Sequence, residues 1–506
     1  MSQVGARNLA RLAEVALERL GDYPSLHFEG TWHNSAVMWG RGARLAGGLI
    51  DHGIEPGDRV VVFMENQPDV PVIYHAVARA GAVIVPAIFL LTSDELARVI
   101  SDSGAKAAIT SPAFRQTVAD ACKEAPSLQF IISVGEELEA LESFDSVPIV
   151  PRGDDDLAAL VYTGGTTGRS KGVMLTHANL WEAGRAGHRS SYVSGLKRSL
   201  VSLPLSHSYG LLVYSVSMHA DEQVESVLMR WFDATSWLQL AQLHKTQIAA
   251  VVPSMIELLL EQPLEEYDLS DLRYVVSGAA PLRMGALEAF SRRVPGVEVR
   301  EGYGLTESAA VCSANPPGAV KRGSVGLPLE GTEIRLVDDS GNEVSSSEPG
   351  EILIRSDLVM AGYWNDPELT KRTIEDGWLH TGDIGRLDSD GYLSIVDRKK
   401  DLIIRGGFNV FPHDVEQALL EHDSVEAACV LGRPDELHGE EVLAFVVISK
   451  GAEVPTEELL SFAKQRLGGY KYPREIHVLP SLPLTLVGKV DRKALRALLT
   501  KEGVTA

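Results

Sequence analysis

The chain has 506 residues, 45% of them hydrophobic and 23% charged, which is enough for two or more separately cored domains. Its formal charge of −22 opposes binding to nucleic acid or to an anionic membrane surface and points to a cytoplasmic protein that handles small molecules. Cys122, Cys312 and Cys429 are far apart and fall in no ligand spacing, which argues against a disulfide framework or a zinc site.

The N-terminal stretch NLARLAEVALERLGD alternates apolar and polar residues at helical spacing and carries acids, unlike a signal peptide, and no window approaches a membrane span. From about Arg59 short β-branched runs (RVVVF, AVIVP, AKAAIT, FIISV) alternate with amphipathic stretches such as SDELARVISD, which predicts parallel sheets with covering helices. The rhythm returns in SLVSLP, IAAVVPS and LRYVVSG, and VEVREGYGLTES reads as a strand running into a polar loop. Ligands usually bind at such strand ends. Beyond about Gly331 the texture becomes β-rich (EIRLVDD, GEILIRS, GYLSIVD), with Gly and Asp turns. The charged run DRKKDLIIRGG then precedes one long helical pattern (FPHDVEQALLEH), two strands and a final helix after VGKVDRKAL. The expected fold is α/β: a large N-terminal domain over 1–398, with two αβ-layered sheets and a β-rich subdomain from about 331, and a small α+β C-terminal domain over 399–506.

Several motifs carry chemistry. YTGGTTGRSKG, Tyr162 to Gly172, departs from the P-loop at two points: Ser170 stands where Gly is required, and Gly172 where the metal-binding hydroxyl should be. Its glycines, hydroxyls and lysine still suit phosphate. EGYGLTES, Glu301 to Ser308, offers a ring, a hydroxyl and a carboxylate, a kit for purine stacking, phosphate contact and Mg²⁺; by itself it also reads as a plain turn. Asp383 in GWLHTGDIG fits a ribose diol or a solvated turn, and Lys489 in PLTLVGKVDRKAL fits a phosphate or the surface before a helix. His207 in PLSHSYGLL starts an apolar helix, where a histidine caps or packs as readily as it catalyses. Metalloprotease H-E-x-x-H and dinucleotide G-x-G-x-x-G fingerprints are absent from the sequence.

Taken in order, YTGGTTGRSKGVMLTH, PLSHSYG, SGAAPL, EGYGLTES, GWLHTGDIG, VDRKKDLIIRGGFNVFP and PLTLVGKVDR resemble the AMP-forming adenylate ligases, namely acyl-CoA synthetases, peptide-synthetase adenylation domains and luciferases. The resemblance, closest to acyl-CoA synthetases, implies attack of a carboxylate on the α-phosphate of Mg·ATP, then transfer of the acyl group to coenzyme A with release of AMP. It assigns Thr163, Thr166, Thr167 and Lys171 to the β- and γ-phosphates, with Gly164 among the cofactor-binding residues. Tyr303 is implied to stack on adenine against Gly278, Ala279 and Ala280, with Glu301 and Gly302 alongside. Thr306 is implied at the α-phosphate, Glu307 on Mg²⁺, Asp383 and Arg398 at the ribose, and Ile395 among the cofactor-binding residues. Lys489 is the implied catalytic residue, bridging the carboxylate and the α-phosphate, with Thr306 and His207 beside it.

The resemblance also implies a C-terminal domain that rotates between the two steps about Lys400, bringing Gly406 and Gly407 to a pantetheine arm. Tyr470 fits the coenzyme A adenine or interdomain packing equally, so an amine acceptor, making the enzyme an amide synthetase, fits the sequence too. The acyl pocket is expected from His207, Ser208, Tyr209, Val252, Pro253 and Met255, with Ser277, Gly278, Gly302 and Gly304, a set that suits an aryl or medium-chain acid. Homodimers are a fair expectation for such an enzyme.

Overall fold

The computed structural model describes residues 3–163, 170–345, 348–485 and 490–501. The first four apolar runs form strands Arg59–Phe63, Val83–Ala87, Ala107–Thr110 and Phe130–Ser133, which pair in parallel. Val83–Ala87 is buried at every position, as a strand covered on both faces must be. Between them SDELARVISD forms helix Ser93–Ser103. Thr92 and Glu95 cap it reciprocally, and Gly104 ends it in a left-handed conformation at φ 59°.

The chain divides into two compact units, Met1–Ile334 with Ile354–Leu379, and Arg335–Leu353 with His380–Ala506. In the first unit, a seven-stranded sheet carries these strands together with Leu157–Thr163, Lys171–Thr176 and Gly362–Tyr363. A nine-stranded sheet has Arg198–Val201, Ile248–Val251, Tyr274–Ser277 and Glu298–Tyr303 at its parallel centre. One face of this centre, with Ala249, Val251, Val275 and Val299, packs into a core with Trp237, Leu259 and Phe290.

In the second unit, the long hairpin Val425–Asp435 and Gly439–Ile448 is flanked by strands Ile403–Arg405 and Glu475–Leu479. The helical pattern FPHDVEQALLEH becomes Pro412–Leu420, and the last helix is Arg492–Lys501. Helix Thr456–Arg466 and the short strands Ile403–Arg405, Phe408–Val410 and Glu475–Leu479 add to the sequence reading. Three-residue strands are too short for an alternating pattern to register. Leu393–Arg398 pairs antiparallel with Trp378–Leu387, setting Arg398 opposite Asp383. Among the described residues, no helix is long and apolar enough to cross a membrane, and no disulfide joins the three cysteines.

Candidate active site

The Gly-rich loop joins two antiparallel strands, Leu157–Thr163 and Lys171–Thr176, whose pairing sets Thr163 opposite Lys171. Gly164, Thr166 and Thr167 lie outside the described residues, as does Lys489. The Lys171 ammonium stands 5.3 Å from the centroid of the Tyr363 ring, within cation–π range. Tyr363 arrives on the two-residue strand Gly362–Tyr363, opposite Val173, and its hydroxyl donates to Glu307 Oε1 at 2.8 Å. Burial and then the adjacent Glu307 carboxylate hold its phenol well above the ordinary tyrosine range, so it stays a donor. The sequence reading missed Tyr363, because a two-residue strand distant in sequence leaves no local signal.

Glu307 sits in the single turn Thr306–Ser308. Ala309 and Ala310 follow at φ 51° and 82°, left-handed values that cost energy for alanine; bonds from their N–H groups to the Thr306 and Leu305 carbonyls impose the bend. Thr306 Oγ1 donates to Ser208 Oγ at 3.3 Å, joining this turn to helix Ser208–Met218. His207 caps that helix. Its Nδ1 accepts the Tyr209 N–H at 3.2 Å, which places the ring proton of a neutral imidazole on Nε2.

Beside this turn, strand Tyr274–Ser277 ends in Gly278, Ala279 and Ala280, with Ala279 at φ 71°. A Cβ on Gly278 would stand 3.5 Å from the Gly302 carbonyl and 3.8 Å from Tyr209, ordinary contact distances. The protein therefore tolerates a side chain there, and the bare backbone leaves surface for a ligand. Gly304 differs: a Cβ would meet the Ala310 carbonyl at 2.4 Å, so the turn itself requires glycine. Ser277 is buried with an unpartnered hydroxyl. Burial pushes the Glu301 carboxyl up to about 7, against a bond from the Leu282 backbone that lowers it. Val252 and Pro253 open helix Pro253–Leu260, with Pro at a position that needs no N–H, and Met255 packs on the core. A separate cavity of ≈ 90 Å³, lined by Leu17, Trp39, Leu205 and Tyr214, touches none of the expected site residues.

In the second unit, Asp383 is buried and pairs with Arg398, Nε to Oδ1 at 3.1 Å. The structure thus brings these two together and sets Ile395 opposite Gly385 on the same strand pair. Lys400 lies in the turn Lys399–Asp401, where burial first, then Arg398, lowers its ammonium pKa; the adjacent Asp401 faces Arg496 at 3.4 Å. Gly406 and Gly407 form the two-residue turn between Ile403–Arg405 and Phe408–Val410, at φ 57° and 81°. That turn type alone calls for glycine. Tyr470 packs on Phe408 with ring centroids 5.0 Å apart, and Lys471 pairs with Asp414 at 2.9 Å.

Comparison with known proteins places these elements. The model for "AMP-binding enzyme" matches residues 13–364, and that for "AMP-binding enzyme C-terminal domain" matches 414–489. A feruloyl-CoA synthase from Amycolatopsis sp is 36% identical over 94% of this chain and 98% of its own. A long-chain-fatty-acid–CoA ligase of Bacillus subtilis is 35% identical over 89% and 87%. The structure of the amide bond synthetase McbA from Marinactinospora thermotolerans superposes with a TM-score of 0.88, at 30% identity over 97% of this chain and 99% of that one. With the matched segments spanning both the Lys171–Tyr363–Glu307 array and the C-terminal hairpin, the chain belongs to the AMP-binding enzyme family.

Proposed function

We propose that the protein is an AMP-forming acyl-CoA synthetase acting on an aryl or medium-chain carboxylic acid. In the first step a carboxylate oxygen attacks the α-phosphorus of ATP, the α–β bridging bond breaks and pyrophosphate leaves. In the second the coenzyme A thiolate attacks the acyl carbon of the mixed anhydride, and AMP departs with the bonding pair. The observation that carries this reading is the array in which Tyr363 lies against Lys171 and donates to Glu307: a cation for phosphate and a carboxylate for metal share one tyrosine.

In this reading Thr163, Thr166, Thr167 and Lys171 hold the leaving pyrophosphate, where fixed donors stabilise charge that builds as the bond breaks. The oxygen donor Glu307 suits Mg²⁺, which would supply charge neutralisation at the phosphates. Tyr303 takes adenine against the bare Gly278 backbone. Thr306, tied to Ser208, orients toward the α-phosphate, and His207 borders the acyl group. Asp383 and Arg398 serve the ribose, Lys489 the α-phosphate, and Lys400 the hinge between the two steps. Tyr470, with Gly406 and Gly407, takes the acceptor.

The curated relatives are CoA ligases, which favours a thiol acceptor; the likeness to an amide bond synthetase makes amines the competing one. The reading includes a cytoplasmic, homodimeric enzyme. A panel of acids assayed for pyrophosphate and AMP release tests it. Product formation should need acid, ATP and Mg²⁺ together, and thioester should appear by mass spectrometry when coenzyme A is present. Release of ADP, or product only with amines, overturns the respective step.

A further inference from the structure

The centre of the nine-stranded sheet has unequal faces. Ala249, Val251, Val275 and Val299 are buried in the core on one side. On the other, Ala250 pairs in register with Val276 and Val276 with Arg300, yet Ala250 and Val276 stay only partly buried. Small side chains on interior strands keep accessibility only where no protein fills the space above them. A hollow therefore overlies this face. Its upper edge is Gly278, beside Gly302 and Tyr209. Level with Val276 the same face carries Arg300, and two residues toward the other end of the Val276 strand it carries Tyr274.

Arg300 is 6% exposed and lies over the Tyr274 ring with its guanidinium carbon 3.9 Å from the centroid. Glu298 holds it by Nε, and the Tyr274 hydroxyl is spent on the Ser191 carbonyl at 3.0 Å. Arg300 Nη1 is left buried with no partner. An unmatched donor on a buried cation is costly unless a ligand completes it. Substrate acids entering beside Gly278 would extend along this face toward that donor.

We infer that Arg300 donates from Nη1 to an oxygen at the far end of the acid, so that preferred substrates carry a distal hydrogen-bond acceptor, either a ring hydroxyl or a second carboxylate. This rests on the acyl-CoA synthetase reading and sharpens its substrate class. The acceptor completes a hydrogen bond that the free protein lacks, while an unsubstituted acid leaves the donor buried and unmatched.

Two matched pairs test it: cinnamic acid against its para-hydroxy derivative, and octanoic against octanedioic acid, each measured as kcat/KM from pyrophosphate release. At least one oxygenated acid should be favoured over its parent by about 10- to 100-fold, and the pair that responds tells hydroxyl from carboxylate. In Arg300→Met the ratio should fall to near unity; Arg300→Lys, which keeps a donor, should retain part of it. Wild-type ratios at or below unity in both pairs overturn the inference, as does a ratio unmoved by Arg300→Met. Should Arg300→Met fail to fold, the wild-type and Arg300→Lys ratios decide. If no acid yields pyrophosphate, the synthetase reading has failed. Calorimetric binding of the same pairs to wild type and Arg300→Lys then judges the distal contact by itself.

Discussion

Tyr363 shows what one side chain adds to a site whose other members are read from motifs. Its ring faces the Lys171 ammonium and its hydroxyl fixes one oxygen of Glu307. In the proposed function it orients the metal carboxylate without touching the metal. Tyr363→Phe keeps the ring and removes the bond, so half-saturating Mg²⁺ in pyrophosphate release should rise about 10- to 100-fold, as for other partners of metal ligands. An unchanged Mg²⁺ dependence would remove Tyr363 from the metal site. Glu301 supplies a second test. Its carboxyl titrates at about 7 in the fold against an ordinary value of 4.5. Between those values the folded chain binds the extra proton, so this group's contribution to stability falls as pH rises through the window. Glu301→Gln removes that contribution, and its melting temperature relative to wild type should be higher at pH 8 than at pH 5. A difference independent of pH would place the burial effect elsewhere. On the surface, Glu222 accepts from Tyr192 at 2.9 Å and pairs with Lys197 at 3.0 Å, fastening a turn.

At the scale of elements, apolar runs were legible because each is a local property. RVVVF, AVIVP and LRYVVSG became strands close to their written limits, and SDELARVISD became a helix. Elements that depend on partners were less so. Gly362–Tyr363 exists only because Lys171–Thr176 offers an edge, and Phe408–Val410 because Ile403–Arg405 folds back through two glycines. That hairpin explains Gly406 and Gly407 by backbone geometry before any acceptor is considered. At Gly407 a Cβ would meet nothing within 4 Å, so substitution there isolates the cost of the positive φ. Gly407→Ala should destabilise the second unit by about 1–2 kcal/mol, read from urea unfolding. Gly407→Asn should lie nearer wild type, since asparagine tolerates that conformation better. Equal losses for both would mean that side-chain bulk, and not backbone, sets the penalty.

For the molecule as a whole, acidity and length narrowed the class, and the ordered series of motifs carried the family; the family models and full-length relatives agree with that order. What the sequence could not reveal was the inequality of the two faces of the nine-stranded sheet, because register between strands is set by packing and not by local pattern. The proposed division of labour between the two half-reactions is a property of the whole chain, and Lys489 is where it can be tested. In the proposal Lys489 neutralises charge only while the α-phosphate is under attack; the thioester step needs the acyl carbon and the thiol, and no cation at phosphorus. Lys489→Ala should therefore slow adenylate formation by about 10²- to 10³-fold, the usual effect of removing one such donor. Conversion of supplied acyl-adenylate and coenzyme A to thioester should stay close to wild type. Pyrophosphate release with acid and ATP reads the first half, and thioester formed from synthetic adenylate reads the second. Equal losses in both would mean that Lys489 supports the fold of the second unit or binds AMP in both steps, and the two-step assignment of this residue would have to be withdrawn.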